Sequence, residues 1–297
     1  MKALFVLLSL VALLASPTSV VAQSQTQGQK QKIVLGQVGL SFYAVVGGVV
    51  QELLEREGYS VEVVEGPHAK IFPLLGAGQV DIFAAAWLPH GHADLYASVE
   101  DKTFRIAPLY EDARFFWVVP AYVPESALSS LTGLVQPEVQ QRVSKRIVSL
   151  PAETGLTISA RRVLDAYNLG EAGYEIVAAP PSEWFGTFRE AIKDKKWVVF
   201  PLWQPQWVNA AYEVRRLDDP KGAYGEPDTA YLLGHRSLRE KLPARTIGLL
   251  SNIRLSIDAV TKMDRMVNVD RLSPRDSARR WMEENADLVQ SWSIKDD

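Results

Sequence analysis

Two short stretches constrain this chain more than any other: Ala86-Trp87-Leu88-Pro89 and Trp203-Gln204-Pro205-Gln206-Trp207. Each follows an apolar run, Val80-Asp-Ile-Phe-Ala84 in one case and Val198-Val-Phe-Pro-Leu202 in the other. Runs of this length and composition read as buried strands. A proline two residues past the leading tryptophan lacks the N–H that a central ladder needs, so each strand must stop there. Each tryptophan is therefore expected at a strand exit, the edge at which open α/β sheets hold ligands. Two such exits, far apart in the chain, predict two lobes that each present an indole to a shared cleft.

An indole face carries a negative quadrupole and attracts weakly hydrated cations. A desolvated contact is worth about 2 kcal/mol, and quaternary ammonium groups gain most from it. Either tryptophan alone fits a core plug equally well. The like framing of the two favours a cleft.

At 297 residues, with 47% hydrophobic and 23% charged residues, the chain has the composition of a soluble globular protein of one large or two medium domains. A net charge of −3 gives no reason to expect nucleic acid or an anionic membrane as partner. Residues 1–22 read as a secretory signal peptide: Lys2, an apolar stretch from Ala3 to Ala15, and small residues ending at Ala22, after which cleavage is expected. Residues 23–32 form a polar tail that is expected to be disordered. The chain has no cysteine, hence neither a disulfide framework nor a thiol for lipid attachment. The expected location is the bacterial periplasm, in freely soluble form.

In chain order, a strand at Lys32–Val38, a turn at Gly39–Tyr43, a helix through Leu54, a strand at Ser60–Val64, a helix at Ala69–Leu75 and the strand Val80–Ala84 make a β-α-β-α-β run. A strand at Phe115–Val119 ends at Pro120. A helix around Pro137–Lys145 and a strand at Arg146–Leu150 follow. The loop Pro151–Gly155 then opens a helix to Asn168, and free N–H groups at such a helix start suit a carboxylate. After a strand at Tyr174–Ala178, Ser182 is expected to cap a helix with Phe185, Phe188 and Ile192 on its buried stripe and Trp184 off it. Glu213–Leu217 carries the chain back to the first lobe. Ser273-Pro-Arg-Asp276 opens the last helix, with Pro at its first position.

These pieces resemble the substrate-binding proteins of glycine betaine/proline betaine/choline ABC importers, the type II periplasmic binding proteins. The resemblance rests on Gly58-Tyr59, Gly76–Asp81, Ala86-Trp-Leu-Pro89 with His92, Val118–Val123, Trp203–Trp207, Leu217–Gly222 and Ala278–Asn285, which occur in the family's order over nearly the whole mature chain. It implies an α/β fold of two lobes, each a mostly parallel sheet flanked by helices, closing on ligand like a hinged trap. Residues 33–118 with 215–297 are expected to form lobe 1, and 119–214 an inserted lobe 2. A membrane permease and its ATPase are the implied partners, the protein is expected to be a monomer, and no cofactor is implied.

On the family's pattern Trp87 and Trp203 are cage walls and Phe115 takes a cage position. Two aromatics are replaced: Leu40 stands where a tryptophan is frequent, and Asn252-Ile-Arg-Leu255 replaces Asn-Phe-x-Trp. Tyr43, Phe115 or Trp184 are the candidates to complete the cage. A carboxylate on the ligand would find backbone N–H groups at Ser41, Phe42 and Tyr43, and at Thr154 and Gly155. His92 matches a family histidine. A rival reading is a metal receptor through His90 and His92, although His-x-His with no third ligand nearby is more often a surface turn. No hydrolase, metalloprotease or nucleotide motif supports an enzyme.

Overall fold

The computed structural model describes residues 30–293; the expected leader and residues 23–29 of the expected tail lie outside them, and Lys32, the last residue of that tail, begins the first strand. The first part of the fold is the β-α-β-α-β run: β1 (Lys32–Gln37), α1 (Ser41–Arg56), β2 (Ser60–Glu65), α2 (His68–Gly76) and β3 (Ile82–Leu88). Strand β1 lies between β2 and β3 and is parallel to both. Helix α1 is apolar on almost every side: Val45, Val46, Val49, Val50 and Leu54 are fully buried. The helix begins at Ser41, with Leu40 as its N-cap, so the expected turn at Gly39–Tyr43 is the helix's first turn. Phe42 and Tyr43 thereby project from a rigid element.

After α3 (Ala93–Ala97) comes β4 (Thr103–Pro120), an 18-residue strand that spans both halves of the molecule. Its first part, to Ala113, runs antiparallel to β9 (Asp228–His235), which in turn pairs with β3. From Arg114 onward it pairs with β7 (Phe200–Gln204), and at its end with β8 (Val214–Arg216). The change of partner is fastened locally. Asp112 adopts a left-handed backbone, φ 65°, and its side chain pairs with Arg114 and accepts from Gln204 Nε2 at 2.7 Å.

Between β4 and β8 the chain forms α4 (Pro137–Gln140), β5 (Arg146–Ser149), α5 (Gly155–Ala166), β6 (Glu175–Ala178), α6 (Pro181–Lys193), β7 and α7 (Val208–Ala211). Strands β5 and β6 are parallel. After β9, the helices α8 (Leu238–Lys241), α9 (Ala244–Ser251), α10 (Ile257–Asn268), α11 (Pro274–Glu284) and α12 (Ala286–Ser291) close the chain. Helix α11 is clamped to α1 by the buried Glu52, which accepts from Arg275 Nε at 2.6 Å and Arg279 at 2.9 Å. No helix among the described residues is long and apolar enough to cross a membrane.

Several expectations are corrected. The larger sheet, in the order β2-β1-β3-β9-β4-β7 with β8 on β4, is mixed and not mostly parallel. Strand β9 runs antiparallel to both β3 and β4, and the chain reaches it only after passing through β5 to β8. Trp87 and Trp203 are the penultimate residues of β3 and β7; pairing of Trp87 with Ala230 and of Trp203 with Phe115 extends both strands to the proline. The helix expected over Pro137–Lys145 is limited to its first turn. Ser182 does not cap α6: Pro181 fixes the first helical φ, and Pro180 is the N-cap. Ser273 does cap α11, accepting from Asp276 N–H.

Candidate functional site

The aromatic residues from four elements meet where β3 and β7 end. Phe42, from the first turn of α1, lies 5.9 Å from Trp87 and 5.7 Å from Trp203, centroid to centroid. It therefore joins the two tryptophans. Phe115 of β4 lies 5.4 Å from Trp87, and Trp184 of α6 lies 5.2 Å from Trp203. Tyr43 packs on Phe42 at 4.1 Å and reaches Trp87 at 6.1 Å. All but Phe115 are buried, with Trp87 1% and Trp203 5% exposed. The rings pack directly on one another, so a guest must part them.

The loop after Trp87 is held by polar contacts. The backbone N–H of Trp87 donates to His92 Nδ1 at 2.7 Å, and His92 N–H donates back to Trp87 carbonyl oxygen at 2.9 Å. Asp228 accepts from the N–H groups of His90 at 2.6 Å and Gly91 at 2.9 Å. A Cβ on Gly91 would come 2.9 Å from Asp228 Oδ2, so glycine permits this approach. The Trp87 indole N–H donates to Tyr110 Oη at 3.0 Å.

His92 is thus a support for Trp87 and not one of its aromatic neighbours. Its ring stacks on His68 at 3.9 Å. Burial holds the pKa of His68 down at about 4, and burial followed by repulsion from His68 lowers that of His92. Both are neutral at pH 7. Among the described residues no group of three or more His, Cys, Asp or Glu could hold a metal ion. His92 Nδ1 is already the acceptor of the Trp87 N–H, and the His90 backbone N–H is held by Asp228. Burial, then the charges of Tyr110 and Asp228, keeps the Tyr43 hydroxyl protonated well above the usual range.

On the other side, Asn209 Nδ2 donates to the carbonyl of Trp203 at 2.9 Å. Asp264 of α10 accepts from Trp207 N–H at 2.8 Å and from Asn268 Nδ2 at 2.9 Å. Burial raises Asp264 to about 6, against the lowering effects of Ser41, Trp207 N–H and Asn268. Ser41 accepts from Asn268 at 2.9 Å, so its hydroxyl is engaged with α10. Thr154 is the N-cap of α5. A Cβ on the next residue, Gly155, would come 2.9 Å from Phe115 Cζ, so the start of α5 abuts the aromatic cluster.

The structure therefore gathers Trp87, Trp203, Phe42, Tyr43, Phe115 and Trp184 into one cluster and sets Gly155 against it, with His92 and Ser41 as supports. Leu40 is half-buried at the N-cap of α1. Leu255 lies elsewhere: it lines a groove of about 460 Å³ with Arg254, Ser256, Trp281, Asn285 and Leu288, and its N–H donates to Leu109 carbonyl oxygen. Asp228, Tyr110, Asn209 and Asp264 were not singled out from the sequence. Asp228, Tyr110 and Asp264 act on a tryptophan or its loop from elsewhere in the chain, where no local pattern marks them, whereas Asn209 lies only six residues beyond Trp203.

A mixed sheet passing one long strand between two halves, with aromatic rings converging from both, defines the class: a two-lobed solute-binding protein of the periplasmic binding fold. Residues 31–284 match the family described as the substrate binding domain of the ABC-type glycine betaine transport system. The chain belongs to that family, which comprises solute-binding components of transporters and not enzymes. It is 23% identical over 156 residues to the glycine betaine/carnitine transport binding protein GbuC of Listeria monocytogenes, a match that covers 52% of this chain and 51% of that protein. It thus spans about half the length of this curated relative. Among solved structures, the glycine betaine/L-proline-binding protein ProX of Borrelia burgdorferi superposes with a TM-score of 0.76 at 22% identity, covering 89% of this chain and 97% of that one. Lactococcal OpuAC, in its closed form with glycine betaine, also gives 0.76, at 20% identity, covering 89% of this chain and 100% of that one.

Proposed function

We propose that the chain captures a small quaternary ammonium solute, of the glycine betaine, carnitine or choline kind, and delivers it to the membrane permease and ATPase of an ABC importer. The observation that carries this reading is the convergence of Phe42, Trp87, Phe115 and Trp203 from α1, β3, β4 and β7 at one place. Four ring faces around a cation supply attraction that water does not match. The N–H groups of Ser41 and Phe42 at the start of α1, and of Gly155 and Leu156 at the start of α5, are the ones left to an anionic oxygen. Those of Tyr43 and Thr154 already donate to the Leu40 and Pro151 carbonyl oxygens. On this reading the protein works in the periplasm as a monomer, after removal of the leader at residues 1–22.

The pairing of β4 supports a lobe boundary at Ala113/Arg114, a few residues before the expected 118/119. Pairing of β8 with the end of β4 supports a return between β8 and β9, after the expected 214/215. Separation of the lobes about these two crossings would part the aromatic rings and admit ligand.

Thermal-shift titration with glycine betaine, carnitine, choline, ectoine, proline and Zn²⁺ tests the reading, because a ligand of the native state raises its melting temperature. Glycine betaine, carnitine or choline is expected to raise it in a saturable manner. A shift with Zn²⁺ or with none of the cations would sink the proposal.

A further inference from the structure

The aromatic cluster contains two hydrogen-bond donors that the protein does not use. Trp184 and Trp203 are 3% and 5% exposed, and each indole N–H is buried with no protein acceptor in reach. The two rings lie 5.2 Å apart at 30°. A buried donor without an acceptor loses its hydration with no return, so native proteins rarely leave one. Trp87, in the companion motif, has its N–H paired with Tyr110. The other unpartnered buried side-chain atoms among the described residues are nitrogens of His68, Arg114 and Trp292. Among the described residues no buried side-chain oxygen stands idle to complete the pair.

The ring of Trp184 is also already engaged. It stacks on Phe200 at 4.6 Å and 25°, and lies against Trp203 at 30°. Two near-parallel rings thus already lie against Trp184, which leaves less of its face for a cation. What it retains is the N–H edge.

We propose that the indole N–H groups of Trp184 and Trp203 form an oxygen subsite, which receives an acceptor oxygen of the ligand while its cationic head lies among Phe42, Trp87 and Phe115. The proposal rests on capture of a quaternary ammonium solute and narrows it. The ligand is a cation that carries an oxygen function, and Trp184 is a donor, not a wall of the cage. A carboxylate is favoured over a hydroxyl, because hydrogen bonds to an ionised acceptor are about twice as strong as neutral ones.

Trp184→Phe and Trp203→Phe keep an aromatic ring and remove the N–H. Glycine betaine, choline and tetramethylammonium are titrated calorimetrically into the full chain and both variants. In parallel, the indole N–H resonances of the wild type are followed by ¹⁵N NMR with each ligand, so the test survives if a variant folds poorly. Trp184→Phe is expected to weaken glycine betaine by roughly tenfold or more and choline by less, with tetramethylammonium changed by under about twofold. The Trp184 and Trp203 indole resonances are expected to move downfield with glycine betaine and not with tetramethylammonium. Equal losses for all three ligands, or indole resonances that respond alike to glycine betaine and tetramethylammonium, overturn the subsite and leave cation capture standing. A wild type that binds none of the three overturns cation capture, and the subsite with it.

Discussion

Around Trp87 the hydrogen bonds are complete. Its indole donates to Tyr110, its backbone exchanges two bonds with His92, and Asp228 secures the two following N–H groups of the loop. Around Trp203 only the backbone is held, by Asn209 on its carbonyl and by Asp264 through Trp207, while the indole N–H is left over. Both tryptophans are penultimate in their strands and both precede a cis proline by two residues. On the proposed reading this difference is a division of labour: one wall is fixed in advance and contributes its face, whereas the other keeps a donor for the guest. Pre-organisation of one wall lowers the ordering cost of binding.

The largest effects are expected from Trp87→Ala and Trp203→Ala. Each should weaken glycine betaine by roughly tenfold or more and lower stability by about 3–5 kcal/mol. Trp281→Ala, in the C-terminal helices against Trp292, should lower stability comparably and leave affinity within about twofold. Calorimetric titration beside urea unfolding separates the two. If the cleft variants keep wild-type affinity, the aromatic cage is wrong.

The Phe variants sharpen the contrast. Trp87→Phe strips the hydrogen-bond donor from Tyr110 Oη in a buried site, at a cost of about 1–3 kcal/mol. Trp203→Phe removes a donor that had no partner, and should cost less than about 1 kcal/mol beyond its lost ring area. Equal losses in urea unfolding would dissolve the distinction between the two walls.

The pH responses of the two sides should run in opposite directions. His68 binds its proton less readily folded, at about 4, than unfolded, near 6.5. The unfolded chain therefore takes up the proton first, and stability is lost as pH falls from 6.5 toward 4. Between pH 7 and pH 5 this amounts to about 2 kcal/mol, and His68→Phe should abolish most of it. A variant whose melting temperature falls with acid as steeply as the wild type's would count against this role.

An effect of similar size and opposite sign is expected beside Trp203. Asp264 releases its proton at about 6 when folded and near 3.8 when unfolded. Its contribution to stability is therefore present below 3.8 and lost as pH rises to about 6, partly offsetting His68 on acidification. Asp264→Asn should steepen the loss of stability between pH 6 and pH 4 by about 2 kcal/mol. An unchanged slope would show that Asp264 does not titrate in this range.

Much of this organisation is local enough to be legible in the residue order. The β-α-β-α-β start follows from apolar runs alternating with a valine-rich helix, and the cap at Ser273 follows from a side chain that bonds three residues ahead, whereas Ser182 lost its expected capping role to the prolines before it. The two Trp-x-Pro motifs mark strand ends because proline cannot extend a ladder, and five aromatic residues of the cluster were singled out as rings from the sequence, whereas Phe42 was named only for its backbone N–H. What the sequence does not contain is partnership at a distance. Arg105, Pro108, Glu111 and Asp112 interrupt the alternation of β4, so its first half forms only because β9 pairs with it through a series of bulges. Ser41 to Tyr43 read as a turn, yet they form the first turn of α1, which places Phe42 between the two indoles. Asp228 lies 138 residues from His90 and Asp264 57 from Trp207. A hydrogen bond depends on where its two ends arrive in space, and that is decided by packing of the whole chain, not by either end.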